Sequence, residues 1–148
     1  MTTIWFDMDG TIADLYGVEN WLPKLRAYDA SPYMEAAPLL RLCTLARILN
    51  RLQREGFTIG IVSWLSKDPN PNYGKEVAAA KTAWLEKHMP SVKWNEINIL
   101  PHGTPKSNII KDKEALLFDD ENKNRVEWTE KGGIAYDVDK IIEVLKAL

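Results

Sequence analysis

Cysteine is nearly absent: Cys43 stands alone in 148 residues, so no disulfide framework can form, which fits a reducing compartment. Cys43 falls in the helical pattern Leu39, Leu42, Cys43, Ala46, where a buried, inert thiol is expected. Histidine is almost as scarce, and His88 and His102 have no Cys or His partner at metal-ligand spacing, which argues against a zinc site. No window approaches the roughly 20 apolar residues of a membrane span, and Met1 to Phe6 shows no basic leader before an apolar run. A soluble, cytoplasmic protein is expected. Neither sign of charge dominates: 19 Lys+Arg face 21 Asp+Glu, a formal net charge of -2, so duplex nucleic acid is not an expected partner. A Gly-x-x-x-x-Gly-Lys-Ser/Thr run is missing, which removes P-loop chemistry. Internal repeats and low-complexity tracts are missing too.

What is present reads as one globular domain. A 45% hydrophobic share with 27% charge supports a packed core, in a chain too long to need disulfide staples and too short for two full domains. Short β-rich apolar runs occur at residues 3–6, 57–63, 97–100, 115–118 and 134–137, and helical patterns separate most of them. That alternation predicts an α/β fold with a parallel sheet covered on both faces. A helix over residues 38–55 would align Leu39, Leu42, Leu45, Ala46, Leu49 and Leu52, with Gly56 as its stop. Further helices are predicted over 73–89, ending before Pro90, over 122–130 and over 139–148. Two connections exceed the about 2–6 residues usual for βα loops. The first, residues 14–37, contains a short helical pattern around 18–28, and the second, residues 65–72, is rich in Pro and Asn. Both follow predicted strands, so both should wall a pocket at the carboxyl edge of the sheet.

The polar residues at that edge carry the chemistry. Strand one runs into Asp7-Met8-Asp9-Gly10-Thr11, two carboxylates leaving a buried strand, and burying them uncompensated would cost several kcal/mol. A cation or a functional pocket is implied, the alternative being a solvated, capped turn. A second acidic cluster, Asp119-Asp120-Glu121, follows the run at 115–118, and the two converge if their strands are neighbours. Hard oxygen ligands of this kind suit Mg²⁺. Ser63 places a hydroxyl at the end of strand two, where a lone Ser is otherwise a turn residue. Lys81 is flanked at helical spacing by Val77, Ala80, Trp84, Leu85 and His88, so it either snorkels to solvent or meets a fixed anion. Lys106, in the loop Gly103-Thr104-Pro105-Lys106-Ser107-Asn108, is a second candidate cation or an exposed loop lysine.

In this order the set resembles the haloacid dehalogenase-type phosphohydrolase superfamily: Asp7-Met8-Asp9-Gly10-Thr11 as its first motif, Ser63 as its second, Lys81 or Lys106 as its third and Asp119-Asp120 as its fourth. The resemblance implies a three-layer α/β/α Rossmann-like core over residues 1–148, five parallel strands in the order 3-2-1-4-5, and a minimal helical cap at about 14–37. A finer likeness, in Lys81-Thr82-Ala83-Trp84-Leu85-Glu86-Lys87-His88 and Leu116-Leu117-Phe118-Asp119-Asp120, is to the 5′(3′)-deoxyribonucleotidase-like branch. The implied activity is phosphomonoester hydrolysis of a small phosphorylated substrate, a nucleoside monophosphate in the finer reading. Asp7 would be the nucleophile and Asp9 the acid and base. Mg²⁺ would be held by Asp7, the carbonyl of Asp9, Asp119 and Asp120. The phosphate would be bound by Ser63, a lysine and the N–H groups of Gly10, Thr11 and Trp64. Tyr16 and Trp21 would stack on a base or pack the cap, while Trp5, Trp84 and Trp128 are expected in the core.

Three other readings compete. A minimal cap would leave an open site for sugar phosphates or phosphoprotein, unless a second copy of the chain supplied a lid. A signalling receiver domain also combines acids, a hydroxyl, a lysine and Mg²⁺, but its phosphoacceptor sits on a middle strand. Here strand three ends in Leu100-Pro101-His102, without an Asp. A silent binding protein would not require Asp7, Asp9, Ser63, a lysine and Asp119-Asp120 together.

Overall fold

The first strand, β1 (Thr3–Phe6), is buried along both faces from Ile4 to Phe6, which is why it reads as an unbroken apolar run instead of alternating. The computed structural model describes residues 2–148. After β1 come a two-residue strand β2 (Ala13–Asp14), helices α1 (Trp21–Arg26) and α2 (Ser31–Glu35), and a second short strand β3 (Ala37–Pro38). The chain continues through α3 (Leu42–Arg54), β4 (Thr58–Trp64), α4 (Pro71–His88), β5 (Glu96–Leu100) and β6 (Leu116–Phe118). It closes with α5 (Asn122–Glu130), β7 (Ile134–Tyr136) and α6 (Ile141–Lys146). No helix among the described residues is long and apolar enough to cross a membrane.

The sheet order is β5-β4-β1-β6-β7 with every pairing parallel. Numbering those five strands along the chain gives 3-2-1-4-5, as expected. Side chains alternate across the sheet as the pleat demands. Ile4, Phe6, Ile59, Ile61, Leu116 and Phe118 join Leu49 of α3, Trp84 of α4 and Leu145 of α6 in one cluster. Trp5, Val62 and Leu117 meet Trp128 of α5 in another. Trp128 Nε1 donates to the Ala115 carbonyl at 2.8 Å, which meets the polar need of a buried indole.

The helix expected from residue 38 begins at Leu42. Pro38 pairs with Ala13 in the β2–β3 ribbon, and the Leu39 N–H donates to the Ile12 carbonyl at 3.0 Å. Leu39 is therefore 44% exposed and not part of the buried stripe, which consists of Leu42, Leu45, Ala46, Ile48, Leu49 and Leu52. Cys43 is a second correction. One position on from Leu42, it turns away from that stripe, and its thiol is exposed. Helix α4 starts at Pro71, behind an Asn70 cap whose side chain accepts from the Tyr73 N–H at 3.0 Å.

The long connection after β2 holds two helices where one was expected. The antiparallel pairs Ala13↔Pro38 and Asp14↔Ala37 tie its ends together. Leu15 and Tyr33 pack on Tyr73, Val77 and Ala80 of α4. Tyr73 Oη donates to the Asp29 carbonyl at 2.9 Å, and Trp84 Nε1 to the Ala36 carbonyl at 2.8 Å. Helix α4 thus belongs to the core and also seats the cap.

Gly60 of β4 lies opposite Trp5 of β1 in register, and a Cβ there would run into the indole ring. The ring has no open side, since Trp5 is 2% exposed. Gly60→Ala should cost about 1–3 kcal/mol by overpacking, read as a lower urea midpoint at unchanged m-value. An unchanged midpoint would show that the ring has room to move.

Candidate active site

The site begins where β1 ends. Phe6 pairs with Phe118 in the parallel register of β1 and β6, and the Asp7 N–H donates to the Phe118 carbonyl at 3.0 Å. Asp7 and Asp119 are therefore the first residues beyond two adjacent strands. After Asp7 the chain curls tightly, with the N–H groups of Thr11, Ile12 and Ala13 all directed at the Met8 carbonyl. Met8, 1% exposed, anchors this turn in the core. Gly10 adopts φ +80, and a Cβ there would strike the Asp120 carboxylate. A glycine at this point both permits the backbone angle and lets Asp120 approach Asp7.

Oxygen atoms of Asp7, Asp119 and Asp120 lie within 4.8 Å of one another. Lys106, in a 3-10 turn over Lys106–Ile109, donates to Asp7 Oδ1 at 2.8 Å and to Asp119 Oδ2 at 2.7 Å. Thr11 Oγ1 donates to Asp7 Oδ2 at 2.9 Å and to Asp120 Oδ1 at 3.3 Å. Burial, reinforced by the Asp7 charge, pushes the Asp119 carboxyl up to about 6 against the pull of Lys106. Burial followed by Asp7 and Asp119 pushes Asp120 to about 7. Burial alone would lower the Lys106 ammonium, but Asp7 and Asp119 outweigh it and hold it above its usual value.

One ammonium does not balance three carboxylates, and the remaining charge suits a divalent cation. Asn124, in the first turn of α5, strengthens the fit. Its Nδ2 donates to Asp119 Oδ2 at 3.2 Å, while its buried Oδ1 has no partner. Asn124 escaped the sequence reading; the signal was its place in the first turn of the helix that directly follows the acidic cluster.

Asp9 is held from the other side. Lys81 Nζ donates to Asp9 Oδ2 at 2.8 Å, Ser63 Oγ at 2.7 Å and the Trp64 carbonyl at 2.6 Å. Burial raises the Asp9 carboxyl, Lys81 opposes the rise and the Asp7 charge adds to it.

Above this floor lies a cavity of about 680 Å³. Asp7, Asp9, Lys106, Asp119, Asp120 and Asn124 line it from below, Tyr16, Trp21, Arg26 and Tyr33 from the cap, Trp64 from the end of β4, and Lys67 and His102 from the core loops. Tyr16 and Trp21 meet edge to face at 5.1 Å, and Trp64 lies against His102 at 4.8 Å. Both long connections form walls, as expected. Ser63, Lys81, Gly10 and Thr11 are not among the lining residues. The N–H groups of Gly10 and Thr11 donate to the Ala13 and Met8 carbonyls, so these expected phosphate donors are already engaged within the turn. Arg26, Lys67, His102 and Tyr33 were not foreseen, because nothing local distinguishes a pocket-facing loop cation or ring from a solvated one.

No family model and no curated protein matches the chain. Solved structures do. The D,D-heptose 1,7-bisphosphate phosphatase from B. bronchiseptica, complexed with magnesium and phosphate, matches with a TM-score of 0.62 at 12% identity, over 97% of this chain and 87% of that one. The D,D-heptose 1,7-bisphosphate phosphatase from Burkholderia thailandensis matches with a TM-score of 0.54 at 10% identity, over 98% and 99% of the two chains. The chain shares their fold. At such identities the likeness concerns architecture, and it agrees with the α/β/α core that the haloacid dehalogenase-type resemblance implied.

The carboxyls of Asp119 and Asp120 bind protons more tightly here than in an unfolded chain, where the ordinary value is 3.8. The folded state therefore holds more protons between about pH 4 and about pH 7, and their contribution to stability falls as pH rises through that window. In chelator, Asp120→Asn should melt above the wild type, by a margin that widens toward pH 7. Magnesium should raise the wild-type Tm and leave that of Asp120→Asn unchanged. Equal magnesium responses in both proteins would remove Asp120 from the cation site.

Proposed function

We propose that this protein is a Mg²⁺-dependent phosphomonoesterase of the haloacid dehalogenase type, acting through an aspartyl-phosphate on a small phosphorylated metabolite. The observation that carries this reading is the floor of the cavity. A buried carboxylate, Asp7, belongs to an acidic cluster that could hold a divalent cation and is bonded to Lys106, which lines the cavity beside it.

Asp7 is held by Thr11 on one oxygen and Lys106 on the other, and each oxygen keeps a lone pair for attack on phosphorus. Lys106 spends two of its donors on Asp7 and Asp119 and has a third for an equatorial phosphate oxygen. Asp7, Asp119 and Asp120 would hold Mg²⁺, which would supply the charge neutralisation that an anionic nucleophile and a phosphate dianion need. Asp9, whose burial favours the protonated carboxyl, gives its proton to the leaving oxygen and recovers one from the attacking water. Lys106, which lines the cavity, is the phosphate-facing lysine; Lys81 lies behind Asp9.

Cavity size and the two-helix cap favour a small substrate over a phosphoprotein surface. The aromatic pairs Tyr16/Trp21 and Trp64/His102 support a nucleoside monophosphate, whose base would stack on them. Arg26 and Lys67 on the same lining support a phosphorylated sugar, the substrate class in the names of the two fold neighbours. The chain's own α1 and α2 contribute Trp21, Arg26 and Tyr33 to the cavity wall. The free Cys43 thiol is compatible with residence in the cytoplasm.

Phosphate release should be measured from nucleoside monophosphates, sugar phosphates and a phosphotyrosine peptide, with magnesium and with chelator. Release should require magnesium and fall by at least about a thousandfold in Asp7→Asn. Lys106→Met should lower kcat/KM by on the order of a hundredfold. Magnesium-dependent release that survives Asp7→Asn, or none from any compound, would overturn the reading.

A further inference from the structure

Lys81 is 1% exposed and sits midway along α4 between the buried Val77, Ala80, Trp84 and Leu85. An ammonium at such a position costs several kcal/mol to desolvate, and apolar packing is the cheaper way to fill the space. Its three hydrogens meet three acceptors: Asp9 Oδ2, Ser63 Oγ and the Trp64 carbonyl. No hydrogen remains for a phosphate, and the side chain does not reach the cavity.

The consequence falls on Asp9. Its Oδ2 is committed to Lys81, while its Oδ1 has no hydrogen-bond partner among the described residues. Its side chain, 18% exposed, lies on the cavity floor. Asp9 leaves the sheet on a tight turn, and a free carboxyl there could rotate and present either oxygen. Lys81 reaches it from a different element and closes that rotation. Two of the Lys81 acceptors belong to β4, so Asp9 is referenced to the sheet and not only to its own turn. Tyr33 of α2 lies with its ring centroid 5.1 Å from the same ammonium, covering it from the cap.

We propose that Lys81 is a positioning residue, which fixes Asp9 with Oδ1 toward the cavity so that proton exchange with substrate and water runs through that one oxygen. This inference rests on the phosphomonoesterase reading. In the first half-reaction an Asp7 oxygen bonds to phosphorus as the ester P–O bond breaks. The departing oxygen keeps the electron pair and takes the proton from Asp9 Oδ1. In the second, water bonds to phosphorus and gives its proton to Asp9 Oδ1, while the Asp7–phosphorus bond breaks and its electron pair returns to the carboxylate. Lys81 touches neither the substrate nor the reacting atoms.

Leaving-group dependence separates positioning from general loss of structure. Benzyl phosphate needs a proton on its departing alkoxide; 4-nitrophenyl phosphate, of similar size and shape, does not. The parameter kcat/KM reports only the half-reaction in which the ester breaks. In saturating magnesium, Lys81→Met should lower kcat/KM for benzyl phosphate by at least about a hundredfold, the range of general acid catalysis. For 4-nitrophenyl phosphate the loss should stay within about tenfold. Asp9→Asn should show the same split, and adding Lys81→Met to it should change the ratio no further. Lys81→Arg, which keeps the charge but cannot place it on the same three acceptors, is the second variant if Lys81→Met does not fold. Equal losses on both substrates, an unchanged ratio, or failure of both variants to fold would each overturn the assignment. A wild type that hydrolyses neither ester overturns the phosphomonoesterase reading and the inference with it; an active wild type with an unchanged ratio overturns the role of Lys81 alone.

Discussion

The crowding of Asp7, Asp119 and Asp120 around a single buried ammonium is the constraint on which the site depends. Like charges this close cannot all ionise unless positive charge is placed among them. The fold supplies part of it through Lys106 and leaves a deficit. That deficit is what suits the cluster to a divalent cation. The crowding is imposed from a distance. Parallel pairing of β1 with β6 sets Asp7 beside Asp119, and the missing side chain of Gly10 lets Asp120 close the group. A register slip of one residue would turn these side chains to the opposite face and dissolve the cluster.

Around that centre the charges are divided between two lysines. Four carboxylates on the cavity floor, Asp7, Asp9, Asp119 and Asp120, are met by two ammoniums. Lys106 joins Asp7 to Asp119, whereas Lys81 meets Asp9 alone among the four. The division gives Asp7 and Asp9 different ammonium partners although they are two residues apart. It is also economical in structure, since the helix that carries Lys81 is the one on which Tyr33 and the rest of the cap are seated.

Much of this was legible in the sequence. The five strands could be read because buried parallel strands are apolar on both faces, and their order came from the family resemblance carried by the acids that end two of them. The cap was visible as a connection longer than packing needs. Where the reading failed, the cause was tertiary. Cys43 matched an apolar helical spacing, but the stripe is set by which side of α3 faces the sheet, and Pro38 and Leu39 were drawn into the ribbon. The choice between Lys81 and Lys106 depends on contacts to Asp9 and Asp7 that span 72 and 99 residues, beyond any local pattern. Asn124 was within reach, in the first turn of the helix that follows the acids already singled out. Arg26, Lys67 and His102 gain their meaning only from the cavity they share.

The ribbon at the base of the cap has a consequence for how such a protein can diversify. The chain enters and leaves the cap through paired neighbours, Ala13 with Pro38 and Asp14 with Ala37. To the sheet, everything between them is a single closed loop. Lengthening a loop whose ends are already joined costs only about 0.6 kcal/mol for each doubling. The segment that walls the cavity from above can therefore grow, shrink or be exchanged while the carboxylates of the cavity floor stay where the sheet put them.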